Sequence, residues 1–438
     1  MPLEKTSAQN VYARLRDNPA RIYPTENRGA ARIFPFAQPQ ITAGFQFDRD
    51  ASIFATGSCF ARNVEKSLHF IGANVVSSPI DIPAPPKAKQ IFQLYNKYTV
   101  HAILNEFRWA LGDQEVDHAA SLVADKDGVY YDLQVAASPD ITGTKEQMTA
   151  FRKAYNDSFK AAGSAEVVII TLGLVECWYD TTLGIYLNMA PPKALTQLYP
   201  DRFEFHLLDY NDVYHALVEI EALLRRANPK PPKILLTVSP VGLASTFRSS
   251  DVLVANQYSK SVQRAAVEAF VMHHDASYFP SYEYVVLTDR KFAWSNKDFR
   301  HVRQETVDRI MADVLLAYVG PSPQQELLHI RGHATAYFDH KDFDQVIALI
   351  EPRLDDFGHE GELLWLYARA LRASARREEA VAVCRKLMAM DAPAARSAGR
   401  TAVNIAKALK DDDLFAATKD EYQRYFPQDA EAFFALIT

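Results

Sequence analysis

Residues 52–72 read SIFATGSCFARNVEKSLHFIG. The opening run Ser52–Thr56 is short, apolar and β-branched, whereas from residue 60 onward the apolar positions recur at helical spacing. Between them lie Gly57, Ser58 and Cys59, a turn of small residues. A strand that passes through such a turn into a helix places the turn's side chains at the carboxyl edge of a sheet, where ligands bind in open α/β folds. Three more runs, Glu166–Leu172, Lys233–Val238 and Tyr284–Leu287, read as strands, and helical periods cover 60–71, 98–111, 145–162, 210–228, 254–272 and 303–318. Continuous apolar strands alternating with helices predict a parallel sheet covered on both faces. The expectation is one α/β domain over 48–320. A polar, Pro-rich arm over 1–47 precedes it and is expected to carry little chemistry.

After Gly320-Pro321-Ser322-Pro323 the pattern becomes helix alone, so this stretch is read as a linker to an all-α domain over 324–438. Leu364, Ala368, Leu371, Ala380, Cys384 and Leu387 fit the core positions of a helical-hairpin (TPR-like) repeat of about 34 residues. Ala334, Tyr337, Val346 and Ile350 fall in the same register one repeat upstream, and Tyr422, Tyr425 and Pro427 mark a looser third unit. Pro352 falls inside the second helix of the first unit, where it forces a kink or costs about 3 kcal/mol. Such an array offers a face for a protein partner or for self-association, or else packs as a helical appendage.

Composition narrows the function. The 438 residues carry 48 basic and 54 acidic side chains, a net charge of −6, which is the wrong balance for a surface that tracks nucleic-acid phosphates. Glycine is scarce, 16 in all, and neither a dinucleotide-binding nor a P-loop signature occurs. No apolar window approaches a membrane span and the N-terminus has no signal-peptide pattern, so the expected compartment is the cytoplasm. The three cysteines, Cys59, Cys177 and Cys384, are too few and too far apart for a disulfide framework. His273-His274-Asp275 diverge around a helix and suit no shared ion, so no metal and no resident cofactor are expected.

Cys59 is the candidate nucleophile. At a helix N-terminus, unpaired N–H groups and the dipole favour the thiolate, the reactive form. A nucleophile needs a base, and His301 stands out among the histidines because Asp298 precedes it by three residues at a loop-to-helix junction. A carboxylate so placed fixes the tautomer of an imidazole and stabilises its cation. Cys177 is read as a core thiol near the same sheet edge, and Cys384 as repeat core.

The stretch Gly57–Ala61 resembles the signature of the GSCFA family, whose domain is similar to the SGNH/GDSL hydrolases. Tyr95-Asn96, residues 105–109, Thr171–Trp178, Ser239-Pro240, Asn256 with Ser259-Lys260, and Tyr278–Glu283 agree with that resemblance, which covers roughly 48–318. It implies a three-layer SGNH-like sheet and an acyl-transfer reaction. Cys59 falls where the family's wider relatives carry Ser, Ser58 falls where they carry Asp, and Asp298 and His301 match their last block. The implied triad is Cys59–His301–Asp298, with Ser58 the lesser candidate nucleophile. The implied oxyanion hole is incomplete: Gly173 lies in the expected block, but Glu176 stands nearby and no Asn does. Glu176 is therefore read as a substrate or His-network contact, and Asn96 and Asn256 are candidates for the missing donor, or else helix caps. Three readings of function follow: an esterase or O-acyltransferase, with a carbohydrate or glycoconjugate acceptor by analogy alone; an acyltransferase using a coenzyme A thioester; or a catalytically silent interaction protein acting through its repeats.

Overall fold

The computed structural model describes residues 2–77, 94–113, 116–136, 141–295 and 297–437. Residues 78–93, 114–115, 137–140 and 296, inside the expected α/β range, lie outside the described residues. The chain divides into two compact units, Met1–Arg303 with Asp313–Pro321, and Gln304–Ala312 with Ser322–Thr438.

The first unit is built on a parallel four-stranded sheet of β1 (Ile53–Gly57), β2 (Val167–Leu172), β3 (Lys233–Val238) and β4 (Ala276–Tyr278), lying side by side in chain order. Every residue of β2 is buried, as its unbroken apolar run requires in a sheet with both faces covered. Val75 adds a parallel bridge to Ile53. The chain leaving β1 therefore returns first at Val75, on β1's outer edge, and only later at β2 on the inner side. The direction of winding reverses between β1 and β2, which makes their carboxyl ends a topological switch point.

The main helices are α1 (Cys59–Phe70), α2 (Val100–Leu111), α3 (Lys145–Ser158), α4 (Tyr210–Ala227), α5 (Val252–His273) and α6 (Gln304–Tyr318). The first five start on Ser58, Thr99, Thr144, Asp209 and Asp251, whose side chains accept from first-turn N–H groups. Phe54, Phe107, Tyr155, Phe159, Leu217 and Phe270 belong to one core between sheet and helices. Inside that unit one network joins four fully buried charged side chains: Glu106 binds both Lys97 and Arg152, and Arg152 also reaches Asp132 at 3.2 Å. Two cations meet two carboxylates, which is how buried charges are tolerated.

Two expectations are corrected. Tyr284–Leu287 is not a strand but the end of a helix, Ser281–Leu287; Ser281, Tyr284 and Val285 are buried while Val286 and Leu287 are exposed. A short apolar run does not distinguish the two by periodicity, and the helix starts directly after Pro280. The fourth strand is Ala276–Tyr278, too short to announce itself. Nor did the sequence reading include the antiparallel sheet in which Glu176–Asp180 pairs with Ile185–Leu187 and with Phe203–Leu207. These strands are only partly buried and carry no continuous apolar run.

In the second unit, helices Pro323–Asp339, Phe343–Ile350, Gly361–Ala373, Arg377–Met388, Ala395–Leu409 and Asp412–Tyr425 follow one another, and Pro427–Ile437 ends the chain. The predicted repeat positions, from Ala334, Val346 and Ile350 to Leu364, Ala368, Leu371, Ala380, Cys384 and Leu387, form one buried core, with Tyr337 packed against it. Pro352 sits in a 3₁₀ turn, Glu351–Arg353, that ends the helix before it.

Gly57 takes φ +131°, and a Cβ there would lie 2.1 Å from the Thr171 carbonyl oxygen. Gly72 has φ +74° with open space around it. In chemical denaturation, Gly72→Ala should cost about 1–2 kcal/mol from the left-handed backbone alone. Gly57→Ala should cost more than about 3 kcal/mol, because strain and overlap add.

Candidate active site

A cavity of about 330 Å³ opens at the switch point. Ser58 and Cys59 line it from the β1–α1 turn, Gly173 and Leu174 from the end of β2, the 241–247 loop from the end of β3, and Arg300 from the loop before α6. The turn is fixed by its own chemistry. Gly57 allows β1 to lie against Thr171, the Ser58 N–H donates to the Thr171 carbonyl at 3.2 Å, and Ser58 Oγ accepts from the Phe60 N–H at 3.4 Å. Ser58 is thus the N-cap of α1 and Cys59 its first residue.

The Cys59 sulfur faces the backbone N–H groups of Cys59 and Phe60, and the charges of Arg300 and Lys260 bear on it. Each favours the thiolate. Burial nonetheless outweighs them and pushes the thiol above its ordinary value. The expected shift toward thiolate is therefore reversed, because a desolvated sulfur anion loses more hydration than the helix N-terminus and two cations return. At rest Cys59 is a thiol that needs a proton acceptor.

Phe299 adopts φ +53°, in the left-handed region, where a bulky residue costs about 1–3 kcal/mol. This bend curls the chain so that Asp298 accepts from the backbone N–H of Arg300 and of His301, each at 3.1 Å, and from His301 Nδ1. These donors hold the Asp298 carboxyl well below the usual carboxylate range. His301 Nε2 faces Arg300 Nη2 at 3.3 Å, and Arg300 Nη1 donates to the Gly242 carbonyl at 3.2 Å. Both ring contacts suit the neutral tautomer protonated at Nδ1. The structure thus joins Asp298 to His301, and Cys59 shares a cavity with Arg300, but His301 itself is not among the residues lining that cavity.

The sequence model of the GSCFA family matches residues 52–313. The chain belongs to the GSCFA family. Comparison with curated proteins and with solved structures gives no match.

Of the other candidates in this GSCFA domain, Gly173 and Glu176 line the cavity and Asn96 and Asn256 do not. Glu176 anchors the wall: it accepts from Thr246 Oγ1 at 2.6 Å and from the Phe247 N–H at 2.9 Å. Asn256 steadies the same loop by accepting from the Leu243 N–H at 3.1 Å. Asn96 is buried with its side chain on the Tyr98 hydroxyl, and its Oδ1 has no partner. Cys177 is buried and hydrogen-bonded to Thr99, and burial pushes it up to about 12; Cys384 is likewise buried. His274 is bound to Glu221, and Asp275 lies 3.5 Å from Lys233. Among the described residues no group of three or more metal-ligating side chains assembles. No described helix is long and apolar enough to cross a membrane.

Sequence reasoning missed most of the cavity lining, Arg300, Tyr98 and Asn188 among it. Arg300 was in view as part of the Asp298–His301 segment, but nothing local assigned it to the wall. Tyr98 and Asn188 come from distant segments, and Asn188 ties them by accepting from the Tyr98 N–H at 2.8 Å and donating to the Asn96 carbonyl at 2.9 Å.

Glu176→Ala should leave the sheet intact and free the loop. Losing a charged acceptor worth about 1.5–3 kcal/mol, the Phe247 amide should exchange with solvent roughly tenfold to a hundredfold faster, read by hydrogen-exchange mass spectrometry.

Proposed function

We propose that this GSCFA-family chain is an SGNH-like acyl-transfer enzyme, an esterase or O-acyltransferase, with Cys59 as nucleophile and His301 and Asp298 as its base and orienting acid. The observation that carries the reading is the placement of Cys59, first residue of a helix, on the wall of a largely apolar cavity at the sheet's switch point. The return of the chain at Val75 before β2 supports the SGNH-like arrangement.

The chemistry proceeds in two halves. His301 Nε2 takes the Cys59 proton once its contact with Arg300 is released, and the sulfur bonds to the carbonyl carbon of the substrate. The carbonyl π electrons move to oxygen, where the backbone N–H groups of residues 59 and 60 would donate, the latter shared with Ser58 Oγ. Collapse of this adduct breaks the bond to the leaving alkoxide or thiolate, which takes the proton from His301 and departs. Water or an acceptor hydroxyl then gives its proton to His301, attacks the thioester, and returns Cys59. Asp298 keeps the ring in the required tautomer and stabilises its cation. The apolar wall, with Leu174, Trp178 and Phe247, suits the acyl group. A thioester such as that of coenzyme A is the alternative donor, since a thiolate exchanges readily with thioesters. A carbohydrate or glycoconjugate acceptor, a TPR-like nature of the second unit and a protein partner for it belong to the same proposal, on sequence resemblance.

Purified protein should hydrolyse an aryl acetate, Cys59→Ala should abolish turnover, and Ser58→Ala should retain most of it while losing about 1 kcal/mol of stability with its cap. An acyl adduct on Cys59 formed from an acyl-coenzyme A but not from a simple ester would select the thioester donor. Absence of turnover and of any adduct on Cys59 with either donor class would defeat the reading in favour of a silent interaction protein.

A further inference from the structure

Lys260, on α5, is fully buried, and its ammonium nitrogen donates to the Gly173 carbonyl at 2.7 Å. Gln263, one turn further along α5, donates to the same oxygen at 3.0 Å, and Ser259 Oγ accepts from the Val175 N–H at 3.2 Å. This face of α5 therefore grips the turn after β2 from behind. Gly173 in turn abuts the nucleophile's turn: a Cβ on it would lie 3.2 Å from the Ser58 Cβ. The ammonium thus sits directly behind the wall that carries Cys59.

No carboxylate pairs with Lys260 among the described residues. Lys97, also fully buried, shows the ordinary solution, a carboxylate partner inside a four-charge network. On the outer side of Lys260 the charged groups are satisfied with one another, Arg264 with Glu268 at 2.6 Å and with Glu283 at 3.0 Å. The acidic group that does bear on it is Cys59. The groups that bear on Cys59 are Lys260, Arg300 and Tyr98, and the Glu176 carboxylate lines the same cavity.

We infer that Lys260 is the buried counter-charge of the Cys59 thiolate, a positioning residue that acts from behind Gly173 to make the sulfur anion form when the nucleophile is needed. Burial opposes charge on both groups, lowering Lys260 to about 7 and raising the thiol. Together they are mutually favourable, since an opposite charge in a poorly solvated site stabilises the ionised form of each. The pairing also explains why a lysine without a carboxylate is kept where hydration is lost. The inference rests on Cys59 being the working nucleophile, but its test reads the charge on sulfur without requiring turnover.

The rate of Cys59 alkylation by iodoacetamide, measured against pH on the full chain with Cys177→Ala and Cys384→Ala, reports the thiolate fraction. Lys260→Gln removes the charge and retains a donor for the Gly173 carbonyl; Lys260→Arg retains the charge. The Gln variant should shift the profile up by about one pH unit, slowing alkylation roughly tenfold below the midpoint, while the Arg variant stays near the parent. A Gln profile that superimposes on the parent overturns the inference. Should the Gln variant not fold, the reciprocal measurement decides. In lysine-labelled protein followed by NMR, Cys59→Asp, which sets a fixed anion where the thiolate would form, should hold the Lys260 proton to higher pH than Cys59→Asn does, and identical titrations overturn the inference. A shifted profile in a protein that forms no acyl adduct would sink the acyl-transfer proposal and leave this pairing standing.

Discussion

β1 and β2 end in a backbone contact closer than any side chain allows. Gly57 passes so near Thr171 that a Cβ would overlap both its carbonyl oxygen and its Oγ1. That approach lets the Ser58 N–H reach the Thr171 carbonyl, which orients Ser58 to cap α1, which makes Cys59 the first residue of the helix. The Gly57 carbonyl in turn accepts from the Lys97 N–H at 2.7 Å, so the segment that supplies Tyr98 and Thr99 to the cavity is registered against the same glycine. Sheet topology, helix start and cavity wall are thus set by one residue without a side chain.

What the turn positions, burial then silences. The helix N-terminus and two cations favour a thiolate at Cys59, yet removal from water favours the thiol more. A permanently ionised sulfur in a cavity of this kind would be costly and open to oxidation, whereas a neutral thiol beside latent positive charge is inert until a proton acceptor and a polar substrate arrive. The same logic appears in opposite form at Glu106, where two cations bind a carboxylate and hold it below its ordinary value against complete burial. There the charges are fixed and the role is structural. Around Cys59 two cations, Arg300 and Lys260, bear on a sulfur that burial keeps protonated.

The parts of this arrangement that are local in sequence were legible. Continuous apolar runs located β1, β2 and β3, helical period located α1 to α6, and the small-residue turn singled out Cys59. Asp298 and His301 were legible because three residues suffice to close their contact. The misreading at Tyr284–Leu287 came from a run too short to show a period. What stayed hidden is what distance in sequence conceals: Tyr98, Asn188 and Lys260 are separated from Cys59 by long stretches of chain, and only the fold tells that their surroundings coincide. Glu176 lines the cavity, but its partners Thr246 and Phe247 lie some 70 residues on, so its work as an anchor of the 241–247 loop was not visible.

Arg300 links the two halves that the sequence treated as one triad. Its guanidinium lines the cavity, braces the Gly242 carbonyl and faces His301 Nε2, so it occupies the ring nitrogen that the proposed chemistry requires. An arginine does not give up its charge, so the contact is broken only by movement or by a better acceptor. An oxygen of a substrate already bound in the cavity, before the sulfur attacks, is such an acceptor. Drawing the guanidinium toward that oxygen would release Nε2 ahead of the proton transfer that needs it. Phe299, held in the left-handed region between Asp298 and Arg300, makes the loop a strained one, and strain of this kind persists where surrounding contacts fix it. The Asp298 carboxylate supplies those contacts through two backbone N–H groups and the imidazole, leaving the arginine side chain as the part of the loop free to respond.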